Sequence, residues 1–599
     1  ALIGTPGEPG YEDLAREIGQ RFIPNRIAAH HDPASGQAPD LPLLRGKGLV
    51  SGRAALYVCR NFACLAPVTE PGDIERALAE RGLGDQQEVR TGIAVQRPGR
   101  ATTEGTAARA RRFREAGLTH GYTALGSTSL TVSRVGFGGY RVDDTTPEHQ
   151  DALTAALLAG CTLIDTSTNY TDGGSERLVG VVLADLARDG RLPRDAVAVV
   201  SKIGYVQGEN LVLAQEREAA GKPFPEMVKY MEGCWHCLHP EFLRDQLVRS
   251  LDRLQIETLD VCLLHNPEYF LSDAKKRRAG SLEQVREAFA FLESQVAAGR
   301  IAWYGVSSNT AVARPDDPEA TSLSRLLEAA TAAGGTGHHF RVLQVPMNLF
   351  ESGAILQPNT GPDGTRTVLE VAAEAGIAVL VNRPLNAFQG GQLIRLAEFP
   401  VKEESAGSPE EMLGRLIPLE AEFRAQIAPH LRVPEGGTPP GDWFRWADQL
   451  RALPAQMQGL DHWRQIEGGV IGPMVAEVVH QLDGALTGTL APVWRAWRDR
   501  YLPALEATLA AFRARAAWQS QAQSDRVASA VNPHLPLART GESLSRKALW
   551  VLASTPGVTS VLLGMRRPAY VEDGMAILGW PPLPDVRPIY EAVRSQRNL

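Results

Sequence analysis

From about residue 130 onward the chain alternates between two hydrophobic periods. Short, β-rich apolar runs occupy 131–142, 161–167, 196–204, 258–266, 300–308, 340–348, 376–384 and 557–565. Between them lie stretches such as "HPEFLRDQLVRSLDRL" and "SLEQVREAFAFLESQVAAG", where apolar residues return every three or four positions. That spacing predicts helices with one buried face. In "TPEHQDALTAALLAG", Thr146 stands at a cap position and Pro147 in the first turn; a second helix begins at Ser175 and stops at Gly190. Nearly continuous apolar strands joined by helices predict a parallel sheet covered on its outer face. Eight such units predict an α/β fold, a closed (β/α)8 TIM barrel.

The pattern changes at both ends of this region. Residues 396–535 read as amphipathic helices and hold six of the ten tryptophans: Trp443, Trp446, Trp463, Trp494, Trp497 and Trp518. Such a composition predicts a packed helical subdomain inserted between strands 7 and 8, since low-complexity linkers lack large aromatic residues. Leaving the loop after strand 7, it is expected either over the mouth of the barrel, as a lid or pocket wall, or as a remote buttress. Residues 82–121, rich in Gly, Thr, Ala and Arg, read as a linker behind an N-terminal extension over 1–81. The expected organisation is therefore extension (1–81), linker (82–121), barrel strands 1–7 (122–395), helical insertion (396–535), and strand 8 with the C-terminal segment (536–599).

Composition narrows the partners. A net charge of -7 with 22% charged residues gives no electrostatic reason to expect nucleic acid or an anionic membrane. Neither a signal peptide nor a membrane-spanning run stands out, and six cysteines suit a reducing compartment, so a cytoplasmic location is expected. A small-molecule ligand fits best. Oligomeric state leaves no mark on the sequence.

Barrels of this kind carry their chemistry where the strands end. Here the apolar runs end on Asp165, on Ser201 and Lys202, on His265 and Asn266, on Ser307 and Ser308, on Gln344 and Asn348, and on Asn382 and Arg383. Tyr170 follows Asp165 by five residues. A phenol with a pKa near 10 is a reluctant acid, but a nearby ammonium favours the phenolate and a carboxylate keeps that ammonium charged. Lys202 and Asp165 suit these parts, and His265 suits a hydrogen bond to the oxygen that Tyr170 protonates. No obvious nucleophile or metal cage accompanies them. A hydride from a reduced nicotinamide would complete a carbonyl reduction, or an alcohol oxidation in reverse.

"DTSTNY", "VVSKIG", "DVCLLHNPE", "GVSSN" and "VTSVLLGMRRP", in this order on eight strands, resemble the aldo-keto reductase family over about residues 122–395 and 540–580. The resemblance implies a catalytic tetrad of Asp165, Tyr170, Lys202 and His265, with NADP across the strand ends and a small carbonyl or alcohol as substrate. It also implies that Tyr140 and Arg141 line the nicotinamide end and that Ser307, Ser308 and Gln344 hold the carboxamide. Asn382, Arg383, Pro384, Leu385 and Asn386 would wrap the pyrophosphate, while Gly564, Arg566, Tyr570 and Asp573 would meet the adenosine side. The sequence departs from the family in three places: Asn382 stands where an aromatic residue often stacks on the nicotinamide, Ser308 stands where Asn is common, and Asp573–Gly574 replaces a Glu–Asn pair. Arg566 and Arg567 can pair with a 2′-phosphate and so favour NADP over NAD. The competing class is a nucleotide-sensing or regulatory binding protein on the same barrel.

Other motifs carry less. "GFGGY" lacks a helix opening on Gly139, as a Rossmann phosphate loop requires. Cys234, His236, Cys237 and His239 in "MEGCWHCLHPEF" have zinc or redox ligand types but no distant second pair, so a cap-and-turn with buried thiols is expected. Residues 1–80 resemble the C-terminal end of thioredoxin-fused (α/α)6-barrel proteins, and Cys59 and Cys64 there are expected to lie in an inert strand-turn.

Overall fold

The structure, a computed structural model, describes residues 2–19, 29–35, 44, 47–60, 63–64, 67–74, 97–271, 281–317, 319–361, 363–389, 392–399, 407–433, 437–453 and 457–596. They fall into two compact units, Ala1–Val95 and Gln96–Leu599. In the first, Leu2–Ile3 pairs in parallel with His30–His31 and antiparallel with Ala55–Leu56, beside the helix Pro9–Gly19. Leu2, Leu14, Ala54, Leu56, Val68 and Ile74 form its small core. The short strands Cys59–Arg60 and Ala63–Cys64 pair antiparallel, with Cys59 opposite Cys64 in the backbone register.

The second unit is built on eight parallel strands: β1 (Val135–Gly138), β2 (Leu163–Asp165), β3 (Ala198–Ile203), β4 (Leu259–His265), β5 (Ile301–Ser307), β6 (Phe340–Pro346), β7 (Ala378–Asn382) and β8 (Val558–Leu563). They close in chain order into a barrel. Each lies within one of the eight apolar runs read from the sequence. The intervening helices include α1 (Pro147–Leu158), α2 (Gly174–Arg188), α3 (Pro240–Leu254), α4 (Ser281–Ala297), α5 (Leu323–Gly334) and α6 (Val368–Glu374). They pack on the outward side chains of the strands, such as Val199, Ile203, Cys262 and Leu264.

Because side chains alternate along a strand, the other parity faces inward. Leu163, Ala198, Val200, Val261, Leu263, Val342, Ala378 and Leu380 form this inner core together with Leu125, Leu130 and Val132. The last three come from a hairpin, Tyr122–Ala124 with Thr131–Ser133, which packs among the inward residues of the strands. The run 131–142 thus contains two strands, only the second of which enters the barrel. Two residues further along the same inward parity stand Asp165, Lys202, His265, Gln344 and Asn382.

The linker expected over 82–121 is corrected where it is described. Thr103–Glu115 is a helix, capped by the Thr102 side chain on Gly105 N, 2.9 Å. Its Ala–Arg composition conceals one buried face, formed by Thr106, Arg109 and Ala110, and Arg109 donates to the carbonyl of Leu157. Arg97 likewise donates to the carbonyls of Gly180 and Leu254, at 2.9 and 3.0 Å. Residues 82–96 lie outside the described residues.

Between β7 and β8 the chain forms a hairpin, Asn386–Gln389 with Gln392–Arg395, and then a helical insertion with a core of its own. Its main members are α7 (Pro409–Gln426) and the 42-residue α8 (Leu490–Val531). Trp463, Trp494 and Trp497 are fully buried in that core, whereas Trp518 is exposed. Val527 and Val531, at the far end of α8, belong instead to the barrel's outer core and anchor the insertion there. The chain then returns through α9 (Leu544–Ser554) to β8. Among the described residues no helix is long and apolar enough to cross a membrane.

Candidate active site

Six consecutive strands each deliver one polar side chain to the inner rim: Asp165, Lys202, His265, Ser307, Gln344 and Asn382. They are joined by hydrogen bonds. Lys202 Nζ donates to Asp165 Oδ2 at 2.7 Å, to the carbonyl of Thr166 at 2.9 Å and to the Tyr170 hydroxyl at 3.0 Å. All three of its N–H groups therefore have partners in a place where its exposure is 0%. Gln344 Nε2 donates to Asp165 Oδ1 at 2.7 Å, and Gln344 Oε1 accepts from Ser307 Oγ at 3.2 Å and Asn382 Nδ2 at 3.3 Å. Both carboxylate oxygens of Asp165 are thereby held, and the ring ends at Asn382, whose Oδ1 is buried with no hydrogen-bond partner.

Tyr170 reaches this rim from the loop after β2. The loop turns through two consecutive non-glycine residues in the left-handed region, Thr171 (φ 47) and Asp172 (φ 53), a costly conformation. Side-chain contacts hold it: Thr171 Oγ1 donates to the carbonyl of Val142 at 2.6 Å, and Asp172 Oδ1 accepts from Glu209 N at 3.0 Å. Gly139 is needed for a different reason than phosphate binding, because a Cβ there would lie 2.5 Å from Ser175 Oγ and 2.8 Å from the Asp165 carbonyl. Tyr140, 62% exposed, places its ring edge-on to Tyr170 at 5.2 Å, and the His265 ring lies 5.9 Å from Tyr170 on a similar angle.

The protonation states follow from burial. Desolvation, then the Asp165 carboxylate, hold the Tyr170 phenol well above its ordinary range, so it keeps its proton. Burial, then the charge of Lys202, push His265 well below the ordinary imidazole range, so it is neutral. Lys202 is a pure donor toward the phenol oxygen, which leaves the phenol's own hydrogen for a partner outside the pair. The geometry therefore places a protonated phenol, Tyr170, beside a neutral imidazole.

The remaining expected residues divide. Ser308 is on the rim, but its Oγ accepts from Thr310 N and Ala311 N in its own turn, at 3.2 and 3.0 Å. Arg383 adopts φ 54, donates to Glu351 at 2.8 Å and covers the Phe388 ring. Pro384 is buried, the Leu385 carbonyl accepts from Leu396 N at 2.9 Å, and Asn386 opens the hairpin. Gly564 and Tyr570 are exposed beyond β8. Arg566 there is held below the usual guanidinium range by burial and then by Arg141, with Arg395 and Arg567 adding to the effect. The four arginines make a positive cluster at the β1–β8 side of the mouth. Asp573 is committed elsewhere, accepting from Ser545 Oγ at 2.7 Å and Arg546 Nε at 2.8 Å.

Sequence reasoning missed a second layer. Ser167 Oγ lies 3.1 Å from His265 Nδ1, and Tyr205 packs its ring edge-on to His265 at 4.5 Å. Tyr205 opens a small antiparallel sheet with Val228–Met231 and Cys234–His236. Strands of two to four residues have no periodicity to read; the polar run "DTSTNY" was the available signal. Cys234 and Cys237 are buried, the Cys237 thiol donating to the carbonyl of Pro225 at 3.3 Å, and His239 caps α3 by accepting from Glu241 N at 3.3 Å.

Residues 134–395 match the model of the aldo/keto reductase family. Among curated proteins, the chain is 30% identical over 149 residues to the NADH-specific methylglyoxal reductase of Escherichia coli, covering 24% of this chain and 40% of that protein. It is also 32% identical over 79 residues to spermatogenesis-associated protein 20 of Rattus norvegicus, covering 13% of this chain and 10% of that one. Among solved structures, the glycerol dehydrogenase AKR11B4 of Gluconobacter oxydans aligns at 17% identity with a TM-score of 0.41, over 80% of this chain and 96% of that one. The chain spans less than half the length of the curated reductases it matches. The matched segment, residues 134–395, carries strands β1 to β7 and the Asp165–Lys202–Tyr170 network, and it is similar to the aldo/keto reductase family.

Proposed function

We propose that the protein interconverts a small carbonyl compound and its alcohol with a nicotinamide dinucleotide, and that Tyr170 is the proton donor. The observation that carries this reading is the 3.0 Å bond from Lys202 Nζ to the Tyr170 hydroxyl, in a site where His265 is neutral. When bound, a reduced nicotinamide supplies hydride to the carbonyl carbon. Tyr170 gives its proton to the oxygen, whose basicity rises as it becomes an alkoxide. The ammonium of Lys202 stabilises the phenolate left behind, and Asp165, fixed by Gln344, keeps that ammonium in place. His265 flanks the same oxygen and fixes its direction.

The rim also fits the cofactor. The unpartnered Asn382 Oδ1, with Ser307 and Gln344 beside it, suits the carboxamide, and the arginines around Arg566 suit phosphate groups. Asp461 of the insertion pairs with Arg395 at 2.9 Å, which supports an insertion that walls the phosphate end of the mouth. Preference between NADP and NAD is the finer question: Arg566 and Arg567 favour the 2′-phosphate, whereas the E. coli relative is named for NADH. Arg567 is in part engaged by Glu148 at 3.4 Å, which leaves Arg566 as the main determinant.

The test is oxidation of NADPH and of NADH against aldehydes, ketones and sugars. Turnover with NADPH the faster is expected. Tight dinucleotide binding with no turnover on any member of the panel would replace this reading with the nucleotide-sensing one.

A further inference from the structure

Strands β7, β8 and β1 are neighbours in the barrel, so the segments that follow them meet at one side of its mouth. Each brings arginine: Arg395 from the hairpin after β7, Arg566 and Arg567 after β8, and Arg141 after β1. Arg566 is lowered by burial and, beyond it, by the charges of the other three. Like charges gathered this closely attract anions. Among the described residues only two of the four have a carboxylate partner: Arg567 meets Glu148 at 3.4 Å, and Arg395 meets Asp461 at 2.9 Å.

Asp461 belongs to the insertion, where it stands in the first turn of the helix Leu460–Ile466. Its contact with Arg395 is close but poorly aimed: Oδ2 lies 2.9 Å from Nε, yet Nε is buried and makes no directed hydrogen bond. Asp461 has a second cation within reach, Arg464, one turn along its own helix at 3.6 Å. A partly exposed ion pair without a directed hydrogen bond contributes little. A phosphate, by contrast, takes two parallel hydrogen bonds from one guanidinium. We propose that Asp461 and a phosphate group of the dinucleotide compete for Arg395, so that cofactor binding frees Asp461 and is felt in the core of the insertion.

The inference rests on the dinucleotide reading of the mouth and adds a regulatory contact to it. The path inward is short. Leu460 N donates to Ser520 Oγ of α8 at 2.9 Å, and Gly459 adopts φ 95 where a Cβ would lie 2.6 Å from that oxygen, so the start of the helix is pinned to α8. Two residues after Asp461, Trp463 is fully buried against Phe512 of the same α8, with ring centroids 5.4 Å apart. A change of partner at Asp461 is therefore made beside a buried indole. By linkage, whatever holds Asp461 on Arg395 weakens the dinucleotide by the same factor.

Calorimetric titration of the full-length protein with adenosine 2′,5′-bisphosphate and with ADP tests this without turnover. Asp461→Asn keeps the size of the side chain and removes its charge, and its melting temperature checks the fold. It is expected to bind about fivefold more tightly than the wild type, and the gain is expected to vanish when Arg395→Gln is added. A gain confined to the 2′,5′-bisphosphate assigns the competing group to the 2′-phosphate; a gain with ADP assigns it to the pyrophosphate. Binding to the wild type is also expected to shift the tryptophan emission, and Trp463→Phe to abolish that shift. Unchanged or weakened binding in Asp461→Asn, or a gain that survives Arg395→Gln, overturns the inference, and a shift that survives Trp463→Phe overturns the route to the core. Failure of both probes to bind would remove the phosphate site on which it stands. A protein inactive on every carbonyl compound but tightened by Asp461→Asn would refute the reductase reading alone, and an active one with unchanged affinities would refute the competition alone.

Discussion

At the barrel mouth a lysine with no exposed surface is surrounded by a carboxylate, a carbonyl and a phenol, each within 3.0 Å. In the insertion the equivalent depth is filled by rings: Trp497 stacks on Tyr501 at 4.4 Å and on Trp494 at 5.4 Å, and Trp463 lies on Phe512 at 5.4 Å. The two cores answer different needs. Aromatic burial stabilises directly, whereas the attraction within a buried ion pair is largely offset by the cost of desolvating both charges. The Lys202–Asp165 pair is therefore better explained by what it does to Tyr170 than by what it adds to the fold.

Four substitutions would break or sharpen this contrast. Lys202→Met should do the most damage, because it leaves Asp165 uncompensated: a loss of roughly 3–5 kcal/mol of stability together with loss of NADPH oxidation, read by thermal unfolding and by assay. Trp497→Ala should cost a similar roughly 3–5 kcal/mol, but confined to the insertion, so tryptophan fluorescence should show early unfolding of that region while barrel circular dichroism persists. Equal loss of both signals would mean that the cores are not separable.

Glu420 gives a smaller, pH-dependent effect. Burial pushes its carboxyl up to about 7, although Ala447 N and the Tyr501 hydroxyl donate to it at 3.0 and 3.2 Å. A pKa higher in the folded than in the unfolded state means stability that is complete below the unfolded value and declines as pH rises through the folded one. The insertion should therefore weaken between about pH 4.5 and 7, by on the order of 3 kcal/mol, and Glu420→Gln should flatten that slope. His265 has the opposite sign: its lowered pKa gives the barrel stability that is present above the unfolded imidazole pKa and is lost as pH falls below it. Smallest is Arg566→Gln, expected to raise the KM for NADPH about tenfold and that for NADH less. Equal effects on both would assign Arg566 to the shared pyrophosphate rather than to a 2′-phosphate.

Much of this was legible in the chain because inward parity and polar strand ends coincide: Ala198, Val200 and Lys202 share one face, as do Val261, Leu263 and His265, and the apolar run that holds each makes its last inward residue conspicuous. The insertion was legible through its tryptophans. What escaped was whatever lacked a period. Thr103–Glu115 hid a helix behind arginines, two of whose neighbours turn inward, and the short strands around Tyr205 and Cys234 are too brief to alternate. Asp573 was expected at the adenosine side, but its ion pair with Arg546 depends on α9, a partner 27 residues away in sequence that no local pattern indicates.

The most direct test of the central claim is the turnover of Tyr170→Phe with the best carbonyl substrate and saturating NADPH, with its melting temperature measured in parallel. The account predicts a fall in kcat of about 10²–10⁴-fold, with dinucleotide binding retained and the barrel still folded. Wild-type kcat in a folded Tyr170→Phe protein would contradict it.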